Sequence, residues 1–497
     1  MKRNNLKDLL SPWMQKIPER AIQNITINSK KTSSGDLFVA IKGSKKDGRK
    51  FIFEAIQNKV SAILYETQDF KKHGIFYYIK NIPIIYFFQL PIVLSSLSSR
   101  FYHEPGNKLK IIGITGTNGK TTVAHLISQW STILGKKSVV MGTLGNGDHR
   151  SLKPTMNTTS SAVFIQSFLK KALINKTDLV SMEVSSHGLV QNRVKNVPFY
   201  IAIFTNLTPD HLDYHKSMKE YEKSKWSFFT CHKVKKIILN ASDKYGQIWL
   251  KKLFNHYTIA VTIEDDTQKK YSNKWMNATN IKFKNNHMFV KFESSWGSGK
   301  IFSYLIGNFN VTNLLLSMAC LLELGYKLSD LIRTVNQLKA VCGRMQQFYG
   351  INHPTFIIDY AHTPDALENT LKTIKTNYKK KLWCIFGCGG ERDRTKRSLM
   401  GAIAEKESDQ VIITNDNPRR EEPFKIIQDI LKGCKKKDKI LIIPNRRNAI
   451  SHAFFQSKIN DIILIAGKGH ENQQIIGNQY INYSDQKTVL QLMGKKI

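Results

Sequence analysis

The chain has 497 residues, 41% of them hydrophobic and 10% aromatic, with 75 Lys and Arg against 38 Asp and Glu for a formal charge of +37. This apolar share, with only 13 Pro, excludes a disordered or collagen-like chain, and the length suggests about three domains. The basic excess is spread along most of the sequence beside abundant Asn and Ile, which reads as codon bias, so no nucleic-acid partner is expected.

The N-terminus begins with basic residues but no apolar signal core follows, so a reducing, cytoplasmic setting is expected. Residues 1–105 hold short β-rich runs, Asp36-Leu-Phe-Val-Ala-Ile41 and Ala62-Ile-Leu-Tyr65, around a helical stretch at 50–58. That is a small α/β domain. The most apolar stretch, 82–97, is cut by Pro83, Gln89 and Pro91 and is shorter than the ~20 residues of a spanning helix, so no membrane insertion is expected. Residues 106–340 open with a strand at Ile111-Ile-Gly-Ile114, a loop to Thr122, a helix through Leu134 and a strand at Ser138-Val-Val-Met141. The alternation predicts a parallel, mononucleotide-binding sheet, continued by Tyr200-Ile-Ala-Ile-Phe204 and Lys236-Ile-Ile-Leu239. Residues 341–497 hold further apolar runs at 355–358, 382–386, 410–413 and 459–465, separated by helical stretches, as in a second, Rossmann-like sheet. The fold class is therefore α/β with three domains. Six cysteines (Cys231, Cys320, Cys342, Cys384, Cys388 and Cys434) are too sparse for a disulfide framework, and no zinc site is expected.

The loop Gly113-Ile-Thr-Gly-Thr-Asn-Gly-Lys120-Thr-Thr122 joins strand to helix, where backbone N–H groups and the helix N-terminus hold phosphate oxygens. Gly116 and Gly119 permit close approach, Thr117, Asn118 and Thr122 complete the cradle, Lys120 supplies a cation for the β/γ-phosphates, and Thr121 offers Mg²⁺ a hydroxyl. Ile114 stands where the strict P-loop pattern has its first Gly. Asn310 and Asn313, three apart on one helix face, are either ordinary surface or capping residues or a pair reaching one adenine edge. Taken by itself, Lys225 reads as a solvated helix lysine and His187 as a packed loop histidine, while Arg419 and Arg420 are either loop caps after Pro418 or a cationic fork for a carboxylate.

The loop variant, with Asn157-Thr-Thr159, Glu183-Val-Ser-Ser-His-Gly-Leu189, Thr205-Asn-Leu-Thr-Pro-Asp-His-Leu-Asp213, Tyr221-Glu-Lys-Ser-Lys225, Gly307-Asn-Phe-Asn-Val-Thr-Asn313, Asp359-Tyr-Ala-His-Thr-Pro-Asp365 and Asp416-Asn-Pro-Arg419, resembles the Mur ligases along nearly the whole chain. It is also similar, less closely, to the folylpolyglutamate synthetases. The resemblance implies an ATP-dependent amide-bond ligase of cytoplasmic peptidoglycan synthesis, adding meso-diaminopimelate to UDP-N-acetylmuramoyl-L-alanyl-D-glutamate through an acyl phosphate. A monomer is expected, with L-lysine as the alternative acceptor and a folate-type ligase as the nearest rival. A nucleic-acid P-loop NTPase is the rival from another class, disfavoured by the long C-terminal domain with its Asp416-Asn-Pro-Arg419 and Gly467-Lys-Gly-His-Glu471 motifs.

The site residues carried over by the resemblance fall into four sets. ATP meets the P-loop, Asn310, Asn313, Arg344 and Asp359, with His362 assisting. The UDP-substrate, placed between the first two domains, meets Ile27, Ser29, Ser44, Lys45 and Lys46 at its uridine end and Asn157, Thr158, Thr159, Ser185, Gln191 and Arg193 at its peptide end. Diaminopimelate meets Arg392, Asp416, Asn417, Pro418, Arg419, Gly467 and Glu471. Mg²⁺ meets Thr121, Glu183, His211 and Lys225, the last as a CO₂-derived carbamate because an ammonium cannot ligate a cation. Lys120, His211 and Lys225 form the catalytic set. Two departures from the family pattern stand out: Asn28-Ser-Lys30 replaces the common Asp-Ser-Arg, and Gln346 replaces Glu.

Overall fold

The apolar runs of the N-terminal segment form a sheet in the spatial order Ile25–Thr26, Leu37–Ala40, Ala62–Thr67, Ile82–Phe88 and Phe76–Ile79, parallel except for the last pair. Alternation along these strands sends Leu37, Val39, Leu64 and Phe87 to one face, where they pack with Leu94 and Leu97, and Phe38, Ala40, Ile63 and Ile84 to the other, where they pack with Ala55 and Ile56. Each face is thus closed by a helix, Leu90–Phe101 and Ile52–Gln57. The apolar stretch at 82–97 is divided at Gln89, which takes φ +51 before the helix, with Pro91 in the first turn. No described helix is long and apolar enough to cross a membrane.

The computed structural model describes residues 4–43, 46–265, 267–284 and 287–495. Its contacts divide the chain into two compact units, the first comprising 1–113, 136–202 and 224–235 and the second the remainder. Besides the N-terminal sheet, the first unit holds the parallel strands Ser138–Gly142 and Leu179–Glu183 and an antiparallel hairpin, Gly145–Asp148 with Ser151–Lys153. Strands Lys110–Thr115, Phe199–Phe204 and Val234–Asn240 begin in the first unit and end in the second.

In the second unit, helix Lys120–Ile133 starts inside the stretch read as loop, because Gly119 at φ +87 already caps it. Strands Val234–Asn240, Thr258–Ile263 and Lys274–Lys284 run parallel and are extended by the antiparallel His287–Ser294 and Gly297–Ser303. The C-terminal sheet has the order Gln346–Phe348, Thr355–Asp359, Ile462–Ala466, Leu382–Phe386, Gln410–Ile413 and Ile440–Ile442, parallel after the first pair. Apolar clusters pack on both of its faces, as a doubly wound sheet requires. The strand expected at 459–465 starts only at Ile462, because the Asp461 carboxylate turns the preceding residues by accepting from the Lys458 N–H (3.1 Å) and is pinned by Trp383 Nε1 (3.1 Å). Arg446 and Asp485 form a wholly buried bidentate pair at 2.8 and 2.9 Å, with Tyr483 donating a further bond to the carboxylate. All four central strands end at loops that carry predicted site residues, as ligands in such sheets gather at the carboxyl edge.

Candidate active site

Gly116 passes so close to its neighbours that a Cβ there would lie 1.9 Å from Thr205 Oγ1. The loop after it is fastened to the segment 205–208. Thr117 N donates to Asn206 O (2.9 Å), Asn118 N to Asn206 Oδ1 (2.9 Å) and Thr117 Oγ1 to Thr208 O (3.0 Å). Lys120 Nζ lies 2.7 Å from both Gly116 O and Thr117 O, so the cation sits over the loop at the start of its helix. Thr121 is buried, and its hydroxyl accepts from Arg344 Nη2 at 3.3 Å.

A cavity in the second unit is walled by Asn118, Gly119, Thr122, Asn310, Asn313, Arg344, Asp359 and Tyr360. Most of the predicted nucleotide set is therefore together. Asn310 and Asn313 are both buried, their Nδ2 groups donating to Ile306 O (2.8 Å) and Asn310 Oδ1 (3.3 Å), while Asn313 Oδ1 would lie 2.6 Å from a Cβ added at Gly119. Asp359 accepts from Met345 N (2.7 Å) and Ala361 N (2.9 Å); burial raises its pKa despite the charge of Arg344 and these bonds. The Arg344 guanidinium lies 4.5 Å from the Tyr360 ring centroid.

A second cavity opens where the C-terminal strand ends meet residues 210–213. It is lined by Arg392, Asp416, Asn417, Arg419, Gly467 and Glu471, with Asp210, His211, Tyr360, His362, Cys388 and Lys396. Arg419 takes φ +53, its backbone held by Ile475 O and Gly477 N and its Nη1 by Gly390 O at 2.8 Å. Burial and the neighbouring charge of Arg392 lower the Arg419 pKa, the signature of a place that wants an anion. Pro418 is buried beneath it, against Gly390. Gly467 at φ +110 leaves room for Asp416, whose Oδ2 would be 2.7 Å from an added Cβ.

Burial opposes ionisation of Asp210, yet the charges of His211 and Lys396 hold its carboxyl well below the usual carboxylate range. His211 takes φ +55, its Nε2 lying 3.4 Å from Asp210 Oδ2. In His362, burial and Lys396 lower the pKa, and Nδ1 is 2.7 Å from Tyr360 O, so the neutral ring with Nδ1–H donating there carries its lone pair on Nε2. Such an imidazole on the wall of this cavity is able to accept a proton.

The peptide-end residues lie in the first unit. Thr159 Oγ1 donates to Glu183 O (2.8 Å) and accepts from Ser185 N (2.9 Å), and Thr159 O accepts from Arg193, whose Nε and Nη2 also donate to Gln191 Oε1. Thr158 Oγ1 meets Thr143 Oγ1 at 3.0 Å, and Asn157 O accepts from Thr155 Oγ1 (3.2 Å). At the uridine end Ile27 is partly buried and Ser29 buried; Asn28 caps their turn by accepting from Lys30 N, so the Asn for Asp exchange preserves the cap. Lys46 is exposed, whereas Ser44 and Lys45 lie outside the described residues.

Glu183 is fully buried at its strand end, with Thr143 N (2.7 Å) and Thr143 Oγ1 (3.0 Å) each donating to one carboxylate oxygen. Lys225 is 1% exposed, which overturns its isolated reading as a solvated lysine. Among the described residues no three His, Cys, Asp or Glu are grouped to hold an ion. Asp210, Tyr360 and Lys396 line these cavities, and Thr143 and Lys468 bond to Glu183 and Glu471; the sequence singles out none of the five, and only Asp210, Tyr360 and Lys468 lie inside the motifs quoted above.

Three family models match: the Mur ligase family catalytic domain at residues 21–102, the Mur ligase middle domain at 114–321 and the Mur ligase glutamate ligase domain at 343–469. The chain is 65% identical over 492 residues to a UDP-N-acetylmuramoyl-L-alanyl-D-glutamate–2,6-diaminopimelate ligase of Buchnera aphidicola subsp. Acyrthosiphon pisum, covering 99% of each. The chain belongs to the Mur ligase family. A like-named protein of Buchnera aphidicola subsp. Schizaphis graminum is 63% identical over the full length of both. A solved structure of a ligase of that name matches with a TM-score of 0.68 and 30% identity over 99% of each chain. As a Mur ligase, the chain has the three-domain α/β fold and is an ATP-dependent, amide-bond-forming enzyme.

Proposed function

We propose that this Mur ligase joins meso-diaminopimelate to UDP-N-acetylmuramoyl-L-alanyl-D-glutamate in the cytoplasm, as a monomer organised in domains 1–105, 106–340 and 341–497. The observation that carries the acceptor is the pair of guanidinium groups, Arg392 and Arg419, in one cavity with the Glu471 carboxylate. An amino acid ending in both a carboxylate and an ammonium matches that set, whereas L-lysine leaves the arginines without an anion.

In this reading ATP transfers its γ-phosphoryl group to the D-glutamate carboxylate, releasing ADP. The acceptor amine attacks the acyl phosphate, loses a proton, and the tetrahedral intermediate expels phosphate to leave the amide. The P-loop and Lys120 hold the phosphates, Arg193 and Gln191 hold the peptide end, and Arg419 with Glu471 orients the acceptor. His362 Nε2, or water, takes the amine proton. Bound Mg²⁺ would neutralise the phosphoryl oxygens as they meet the carboxylate. Thr121, His211, a carbamoylated Lys225 and Glu183, the last already oriented by Thr143 as a ligand needs to be, each carry a donor of the kind that would hold it.

In a screen of amino acids with the UDP-dipeptide and ATP, diaminopimelate should be the acceptor that sustains ADP release. Equal or faster release with L-lysine would reject the assignment. Lys225→Ala should lose about 10²-fold or more in kcat and regain part of it with added short carboxylates, which replace the carbamate oxygens. Full activity of Lys225→Ala in CO₂-free buffer would show that no carbamate is needed.

A further inference from the structure

We propose that Lys468, a residue that lines neither cavity, is the positioning residue that sets the acceptor site; this rests on the diaminopimelate reading above. Two glycines at positive φ, Gly467 (+110) and Gly469 (+52), turn the lysine between them inward at the end of strand Ile462–Ala466. Its side chain has 0% exposure. Nζ donates to Asn417 Oδ1 (3.0 Å), Glu471 Oε2 (2.8 Å) and Gln473 O (2.8 Å), so all three ammonium protons are used.

The consequence for the site is directional. Asn417 Oδ1 accepts a second bond from Ile475 N (3.0 Å), which fills its lone pairs and fixes which way the amide points. Asn417 Nδ2 then gives one hydrogen to Glu471 Oε2 (2.8 Å) and keeps one. Glu471 Oε2 holds two bonds, so Oε1, which has no partner among the described residues, is the oxygen offered to an acceptor ammonium. The third bond anchors the hairpin formed by Gln473–Ile476 and Gln479–Asn482. That hairpin fastens the arginine loop through Gln474 Nε2 to Asp416 O (2.7 Å) and Arg419 N to Ile475 O (3.0 Å). One buried cation therefore orients the Glu471 and Asn417 side chains directly and the Arg419 backbone through the hairpin, and a neutral side chain of equal length cannot, because it supplies no protons and leaves Glu471 held by the single bond from Asn417 Nδ2.

The test is steady-state kinetics on Lys468→Met and Gln474→Met. Lys468→Met should raise KM for diaminopimelate about 10- to 100-fold, the loss of charged hydrogen bonds, and lower its preference over L-lysine by a similar factor. KM for ATP and for the UDP-dipeptide should stay within about twofold, which a merely structural lysine would not arrange. Gln474→Met, which removes the Nε2 bonds to Asn415 O (3.3 Å) and Asp416 O (2.7 Å) and keeps the lysine, should raise KM for diaminopimelate about 3- to 10-fold, and it decides the matter if Lys468→Met does not fold. An unchanged KM for diaminopimelate in folded Lys468→Met overturns the inference, as does a silent Gln474→Met beside a Lys468→Met that weakens all three substrates equally. If the wild-type enzyme does not use diaminopimelate, the underlying reading of the acceptor fails instead, before any variant is compared.

Discussion

Lys120→Ala is expected to lower kcat about 10³-fold or more, since one positioned cation on a transferring phosphoryl group carries an effect of that order. Lys120 is the first residue of helix Lys120–Ile133 and its Nζ lies over the loop carbonyls of Gly116 and Thr117. Alanine keeps the helix, being the best helix former, so the change removes the charge and little else. The loop shape should survive, because it is held by bonds from Thr117 and Asn118 to Asn206 and Thr208 that do not involve Lys120. The predicted UDP-substrate residues lie elsewhere in the sequence, at 27–46 and 157–193, so calorimetric affinity for the UDP-dipeptide should stay within about twofold. An unchanged rate of ADP release, or loss of UDP-dipeptide binding in the folded variant, would falsify the separation of the two sites.

The parallel strands were legible because buried strands read as continuous apolar runs, and the C-terminal runs at 382–386 and 410–413 are strands over those residues. The antiparallel extension at 287–303 is not legible in the same way, although His287–Ser294 alternates buried Met288, Val290 and Phe292 with exposed Phe289, Lys291 and Glu293. Its charged outward positions make it look like the lysine-rich background of the whole chain. The hairpin at 473–482 carries no such alternation, since its second strand is exposed throughout, and it is placed by hydrogen bonds rather than burial. Lys225 shows both sides of the matter. Composition reads it as one lysine among many, yet its spacing from Tyr221 and Phe228 places it on the buried stripe of helix Met218–Thr230. Motifs name residues, but the partners that fix them, Thr143 on Glu183 and Lys468 on Glu471, are set by long-range or turn geometry that no spacing expresses.

Arg419→Lys should lower kcat/KM for diaminopimelate about 10³-fold and bring it near that for L-lysine, which the wild-type enzyme should disfavour by ~10⁴. Arg419 Nη1 is committed to Gly390 O at 2.8 Å, while Nε and Nη2 have no protein partner among the described residues. Nε and Nη2 are the two parallel donors of the guanidinium edge, the geometry that a carboxylate meets with two bonds at once. A lysine ammonium retains the charge but offers a point in place of a fork, and its shorter reach gives up the bond to Gly390 that aims the group. The backbone adds a second constraint. Position 419 sits at φ +53, pinned between Ile475 O and Gly477 N, so the side chain leaves the loop in one direction and a substitute cannot swing round to compensate. Nearby, a Cβ on Gly389 would stand 3.0 Å from Arg419 Nη1, so the space for the guanidinium is already cut to its shape. With L-lysine as acceptor the fork would be desolvated beside Arg392 with no anion to answer it, and two unpaired guanidinium groups in one cavity cost more than the lost contact alone. Comparable kcat/KM values for the two amino acids in the wild-type enzyme, or undiminished use of diaminopimelate by Arg419→Lys, would show that recognition does not run through this fork.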